Sequence, residues 1–198
     1  MESHSIFCQK ANKPLALFTK LAGDSIKINI VNETLSPYKF QGFDIVWKTF
    51  SGKEVSRQKI QISEGIVPDN RVWNLTFALK KEKWTPSDSA SLYIEIKPIT
   101  KSDQPSIADF LFYKLPKGLN LIEAELKTEI AKTETGYQLK INAKNLVKNL
   151  YISSKNSSVY FSDNYFDILP GEEKIVDFKS DIELSPDDLN FKMLLNQQ

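Results

Sequence analysis

Phe161–Phe178 reads FSDNYFDILPGEEKIVDF, and two interpretations compete for it. Asp163, Asn164, Asp167 and Glu172 form an oxygen-rich cluster of the kind that binds sugars or hard cations. Pro170-Gly171 is a strong turn signal. The turn reading predicts one strand ending at Leu169 and another starting near Glu173, with Gly171 at positive φ or in tight turn geometry between them. Phe166, Leu169 and either Ile175 or Val176 then face a core, and Asp163 and Asn164 bond to backbone near the turn.

The rest of the chain favours strands. Period-2 alternation dominates, as expected of strands with one wet face and one buried face. Ile26, Ile28 and Ile30 share a face in SIKINIVN; Phe43, Ile45 and Trp47 do so in GFDIVWKTF; Trp73, Leu75, Phe77 and Leu79 do so in RVWNLTFAL; and Leu92, Ile94 and Ile96 do so in SLYIEIK. ADFLFYKL closes this series. Turn clusters NETLSP, FSGKE, VPDN and TPSDSA separate the runs at sandwich-like spacing. After Leu115-Pro116-Lys117-Gly118 the pattern restarts, with Tyr137, Leu139, Ile141 and Ala143 on one face of GYQLKINAKN. DIELSPDDLN is placed to form one short helical turn.

Two segments recur in order. IKINIVN and QLKINAKN each run into an asparagine turn, and IVPDNRVWNLTF and ILPGEEKIVDF each place a proline turn before a strand. The first copy carries the longer middle hairpin, around Trp47 and Gly52. The predicted fold is all-β, two tandem immunoglobulin-like β-sandwiches, with 1–18 a tail and linker, 19–115 the first sandwich and 116–198 the second.

Composition narrows the function classes. Lys plus Arg number 26 against 25 Asp plus Glu and alternate in sign along the chain, so the basic field that attracts nucleic acid or anionic lipid is missing. No apolar run reaches the roughly 20 residues of a membrane helix. With Cys8 the sole cysteine, no intramolecular disulfide is expected. The opening MESHSIFCQKANKPLALF has neither the basic n-region nor the apolar h-region of a signal peptide. Sequons at Asn32, Asn74 and Asn156 matter only in a secretory pathway.

Chemistry is sparse. The single histidine, His4, rules out histidine triads and multi-histidine metal sites, and Cys8 has no histidine partner in an ordered region. Seven scattered glycines form no phosphate loop. Glycoside chemistry needs paired carboxylates, roughly 5–5.5 Å apart for retention. Glu33 and the pair Asp163 and Asp167 are the places to look, yet strand-end Asn, Asp and Glu ordinarily make turns. SDNYFD lacks the dense ligand spacing and glycine of a calcium loop, so no metal and no cofactor is expected. Exposed aromatics, Trp84 and Tyr165 foremost, form the alternative sugar-stacking surface.

VYFSDNYFDILPGEEKIVDF, preceded by AKNLVKNLYISSKN, resembles the C-terminal immunoglobulin-like domain of glycoside hydrolase family 2 β-mannosidases. There a Ser-Asp-Asn-aromatic-Phe-Asp segment precedes a Leu-Pro-Gly-Glu turn. Ser162, Asp163, Asn164, Tyr165, Phe166 and Asp167 carry the more specific half; Leu169, Pro170, Gly171 and Glu172 carry the half common to many sandwiches. KANKPLALF resembles the exit from the catalytic barrel of those enzymes, and IVNETLSPYKFQGFDIVW resembles the first strands of their penultimate sandwich. The resemblance implies a (β/α)8 barrel as partner, a retaining and exported or periplasmic parent enzyme, and catalytic glutamates on that barrel, so no catalytic residue carries over. Asn32-Glu33 superficially resembles the acid/base Asn-Glu but lies in the sandwich part. The alternatives are a pair of carbohydrate-binding modules and a freestanding immunoglobulin-like interaction protein.

Overall fold

Alternating Ile, Phe, Trp and Leu residues settle into antiparallel strands because one face can be buried while the other stays wet. The computed structural model describes residues 13–80, 85–101, 103–155 and 159–195. They divide into two units, the first running to Leu119 less Phe50–Gly52, which group with the second, from Asn120 onward. The segment Pro116–Gly118, expected as the boundary, is a 3-10 turn, and Leu119 after it is fully buried.

The N-terminal unit comprises β1 (Leu15–Ala22), β2 (Ser25–Asn32), β3 (Tyr38–Thr49), β4 (Glu54–Val67), β5 (Arg71–Ala78), a single helical turn α1 (Pro86–Ser89), β6 (Leu92–Pro98) and β7 (Asp109–Phe112). Its sheets run β1-β2-β5 and β4-β3-β6-β7. Ile26, Ile28 and Ile30 of β2 pack in one core with Phe43, Ile45 and Trp47 of β3 and Ile94 and Ile96 of β6, each contributing about 1.5–3 kcal/mol of apolar burial. Trp47 satisfies its indole N–H by donating to the Tyr113 hydroxyl at 2.6 Å. Gly65 lies under the Phe40 ring, where a Cβ would come within 2.4 Å of it, so the ring's position depends on that missing side chain.

Both open edges of this sandwich are stitched by side chains. The Thr19 N–H and hydroxyl each donate to Asp109 Oδ2 at 2.7 Å, tying β1 to β7. On the other edge Gln58 Nε2 donates to the Ala78 carbonyl at 3.2 Å and Gln58 Oε1 accepts from the Lys80 N–H at 2.8 Å, tying β4 to the end of β5. These bonds use edge groups otherwise open to foreign strands. The tail expected over 1–18 needs correction: Leu15, Ala16 and Leu17 are buried, and β1 pairs with β2 from Leu15 onward.

The C-terminal unit comprises β8 (Leu126–Thr133), β9 (Gly136–Ala143), β10 (Val147–Ser154), β11 (Tyr160–Phe161), β12 (Phe166–Ile168), β13 (Glu173–Lys179) and β14 (Leu189–Lys192). Its sheets run β11-β13-β9-β8 and β12-β10-β14. Leu139, Ile141, Val176 and Phe178 meet Val147, Leu150, Ile152 and Phe166 in a separate core. The turn expected in DIELSPDDLN is a 3-10 turn, Pro186–Asp188, with a reciprocal capping box between Ser185 and Asp188. Hydrogen bonds from the Ser185 hydroxyl and N–H, with a smaller contribution from Lys155, lower the Asp188 pKa against a weaker opposing effect of burial.

The sequence repeat corresponds to a repeat of topology. β1-β2-β5 and β8-β9-β13 are the same three-strand arrangement. The turns after Pro68 and Pro170 each pass from one sheet to the other, with left-handed residues at Asn70 (φ 53°) and Gly171 (φ 78°). Both units are immunoglobulin-like sandwiches.

Candidate functional site

Between β11 and β12 the chain leaves one sheet of the C-terminal unit and joins the other, and SDNYFD makes that crossing. Ser162, just past β11, stays bonded to β13: its N–H donates to the Asp177 carbonyl at 2.8 Å, and its hydroxyl accepts from the Asp177 N–H at 3.0 Å. Asp163 turns the chain by accepting from the Asn164 N–H at 2.8 Å. Its second oxygen forms an ion pair with Lys174 Nζ at 2.6 Å.

Asn164 then engages β10. Its Oδ1 accepts from the Ile152 N–H at 2.7 Å and its Nδ2 donates to the Ile152 carbonyl at 2.9 Å. The side-chain amide thereby stands in for a strand residue, supplying the donor and the acceptor that Ile152 requires. Tyr165 follows in the left-handed region, φ 59°, with its N–H donating to the Leu150 carbonyl at 2.8 Å. A non-glycine residue pays a conformational cost there; the ring is half-exposed and lies 4.9 Å from that of Tyr151.

Phe166 and Ile168 return to the core on either side of Asp167. Asp167 is buried with Lys148, Nζ to Oδ2 2.7 Å, and its other oxygen accepts from the Asn149 N–H at 2.9 Å. Asn149 has φ 51° within a bulge between Val147 and Leu150. Asp167 therefore binds both the cation and the free amide that this bulge creates. Leu169 is buried and the Pro170-Gly171 turn closes by a bond from the Glu172 N–H to the Leu169 carbonyl at 3.0 Å. Val176 faces the core and Ile175 faces out.

Asp163 and Asp167 are thus engaged by different lysines and by backbone amides, and they do not converge as an acid and a nucleophile. Asn164 makes the local bond expected of it, its Oδ1 accepting from the Tyr165 N–H at 3.3 Å, and also reaches across to β10. Glu33 is an exposed loop residue whose N–H donates to the Pro14 carbonyl at 2.6 Å, and neighbouring Asn32 is fully buried. Trp84 lies outside the described residues. Among the described residues no group of three or more His, Cys, Asp or Glu is placed to hold a metal ion, and no helix is long and apolar enough to cross a membrane. A recess of about 220 Å³ on the N-terminal unit, bordered by Lys39, Glu64, Lys101 and Asp103, carries charges of both signs.

Residues 121–194 match the family model Ig_mannosidase, described as an Ig-fold domain. Over these residues the C-terminal unit is accordingly similar to the Ig-fold domain that this model describes. Among solved structures, the β-D-mannosidase of Dictyoglomus thermophilum superposes with a TM-score of 0.68 at 19% identity, over 96% of this chain and 23% of the enzyme. The exo-chitosanase CsxA of Amycolatopsis orientalis superposes with a TM-score of 0.56 at 11% identity, over 93% of this chain and 26% of that enzyme. At such identities the superpositions establish the shared fold, and this chain spans about a quarter of the length of each enzyme. A search of the curated proteins found no significant match.

Proposed function

We propose that this chain is the non-catalytic C-terminal β-sandwich region of a β-mannosidase-like glycoside hydrolase, and that its work is to pack against and brace a catalytic (β/α)8 barrel. The observation that carries this reading is the use made of Asp163 and Asp167. Retaining hydrolysis needs one carboxyl held as a proton donor and a second aimed at the anomeric carbon. Here both acids fasten the crossover between sheets, Asp163 through Lys174 and Asp167 through Lys148 and the Asn149 N–H. The likeness of both units together to one stretch of a single β-mannosidase supports the same reading. The parent would be a retaining β-mannosidase whose glutamates lie on the barrel.

The test is an aryl β-mannoside assay on the purified chain. It is expected to release p-nitrophenol no faster than buffer at any protein concentration. Turnover that vanishes on Glu33→Gln or Asp163→Asn would overturn the non-catalytic reading.

A further inference from the structure

β8 ends the sheet β11-β13-β9-β8 and is the longest edge strand of the C-terminal unit. Its pairing with β9 fixes which backbone groups face away. The Glu125 carbonyl accepts from the Lys144 N–H at 3.3 Å and Leu126 lies opposite Ala143, so Lys127 and Glu129 also bond toward β9, while Leu126, Thr128 and Ile130 turn their N–H and C=O groups to the open side. Among the described residues nothing takes them. The 3-10 turn Pro186–Asp188 comes near β8, yet its carbonyls accept from Leu189 and Lys155. The N-terminal unit, by contrast, stitches its open edges with side chains.

Charged side chains commonly guard such an edge. Here their sign alternates with the strand's own period: Lys127 and Glu129 share the solvent face, and Leu126 and Ile130 pack on the core from the other. An antiparallel copy of β8 on a twofold axis through Thr128 sets Lys127 of each chain opposite Glu129 of the other, and Leu126 opposite Ile130. The pairs Leu126 with Ile130 and Thr128 with Thr128 are those whose backbone groups face outward, so the hydrogen bonds of the ladder and its charge pairs come into register together. Registers that keep both cores on one side differ by two residues. The neighbouring ones set Glu129 against Glu129 or Lys127 against Lys127, and like charges directly opposite oppose pairing. Within β8 this register alone joins opposite charges.

We propose that β8 is the self-association edge of this chain, joining two copies through an antiparallel β8 to β8 ladder centred on Thr128. This does not depend on the function proposed above. Sedimentation velocity on the purified chain, from about 1 μM to about 1 mM, covers the range of weak interfaces. The sedimenting mass is expected to rise toward that of a dimer, and Lys127→Glu or Glu129→Lys alone to raise the dissociation constant about tenfold or more, because each reversal makes attractive cross-strand pairs repulsive. An equimolar mixture of the two variants is expected to regain wild-type association, since each supplies the charge that the other lacks. Glu129→Lys also sets a like charge opposite Lys140 within the chain, a change the mixture leaves in place, so the regained association reports the interface alone. A chain that stays monomeric throughout, reversals that leave a dimer unchanged, or a mixture no better than its components would each overturn the proposal.

Discussion

The side-chain amide of Asn164 pairs with the backbone of Ile152 in both directions, accepting its N–H at 2.7 Å and donating to its carbonyl at 2.9 Å. A residue of the crossover thus completes the hydrogen bonding of a strand twelve positions away. Asn164→Ala leaves both Ile152 groups, partly buried, without that partner, and each unsatisfied group costs about 1–3 kcal/mol. The expected loss is about 2 kcal/mol or more by urea unfolding. Asn164→Asp keeps the acceptor, removes the donor and sets a negative charge at a carbonyl, so it is expected to be no better than alanine. A wild-type midpoint in either variant contradicts the bracket.

Gly171 has φ 78° with nothing within 4 Å of where a Cβ would sit. The cost of a side chain there is therefore backbone strain without steric clash. Gly171→Val is expected to destabilise by about 1–2 kcal/mol, and Gly171→Asn by less, because asparagine tolerates this conformation. Equal losses in the two variants by thermal melting would show that something other than φ decides the position.

Lys148 and Asp167 form a buried pair. Removing one charge strands the other, which costs about 3–5 kcal/mol, whereas exchanging both for apolar side chains of similar size is often near neutral. Asp167→Leu is expected to lose most of the stability of the C-terminal unit, and Lys148→Met with Asp167→Leu to recover much of it. Because Asp167 also accepts from the Asn149 N–H, recovery is expected to be incomplete. A double variant as unstable as the single one would show that the bulge amide outweighs the ion pair.

Glu95 lies nearly buried between Lys48 at 2.6 Å and Lys97 at 2.7 Å. Burial pushes its pKa up, but hydrogen bonds from both ammonium groups and their charges outweigh this, leaving it below the usual 4.5. A carboxylate with a lowered folded pKa contributes stability that is full above the ordinary value and is lost as pH falls through the lowered one. Glu95→Gln is expected to be less stable at neutral pH, with the deficit shrinking below about pH 4.5. A constant deficit from pH 7 to pH 3 would remove Glu95 from the acid response.

Local patterns were readable in the sequence, and partners at a distance were not. Ile26, Ile28 and Ile30 announce β2 by period 2, and Pro170-Gly171 announces its turn, because both signals are complete within a few residues. KPLALF reads equally as linker or strand, since a continuous apolar run carries no alternation; eight residues of pairing with β2 decide it. The role of Asp167 depends on a bulge at Asn149, and nothing local marks asparagine there as left-handed. Asn164 is polar and turn-prone in sequence, so a local bond is the natural expectation. Only the packing of β10 beside the crossover brings Ile152 within reach.

The bracing role is tested most directly by the melting of the full-length gene product against a version that lacks residues 13–198. The account expects the shortened protein to melt earlier or to lose solubility, because the apolar surface that the sandwiches cover would face water. An equally soluble shortened enzyme, with unchanged melting and full activity on aryl β-mannosides, would contradict it.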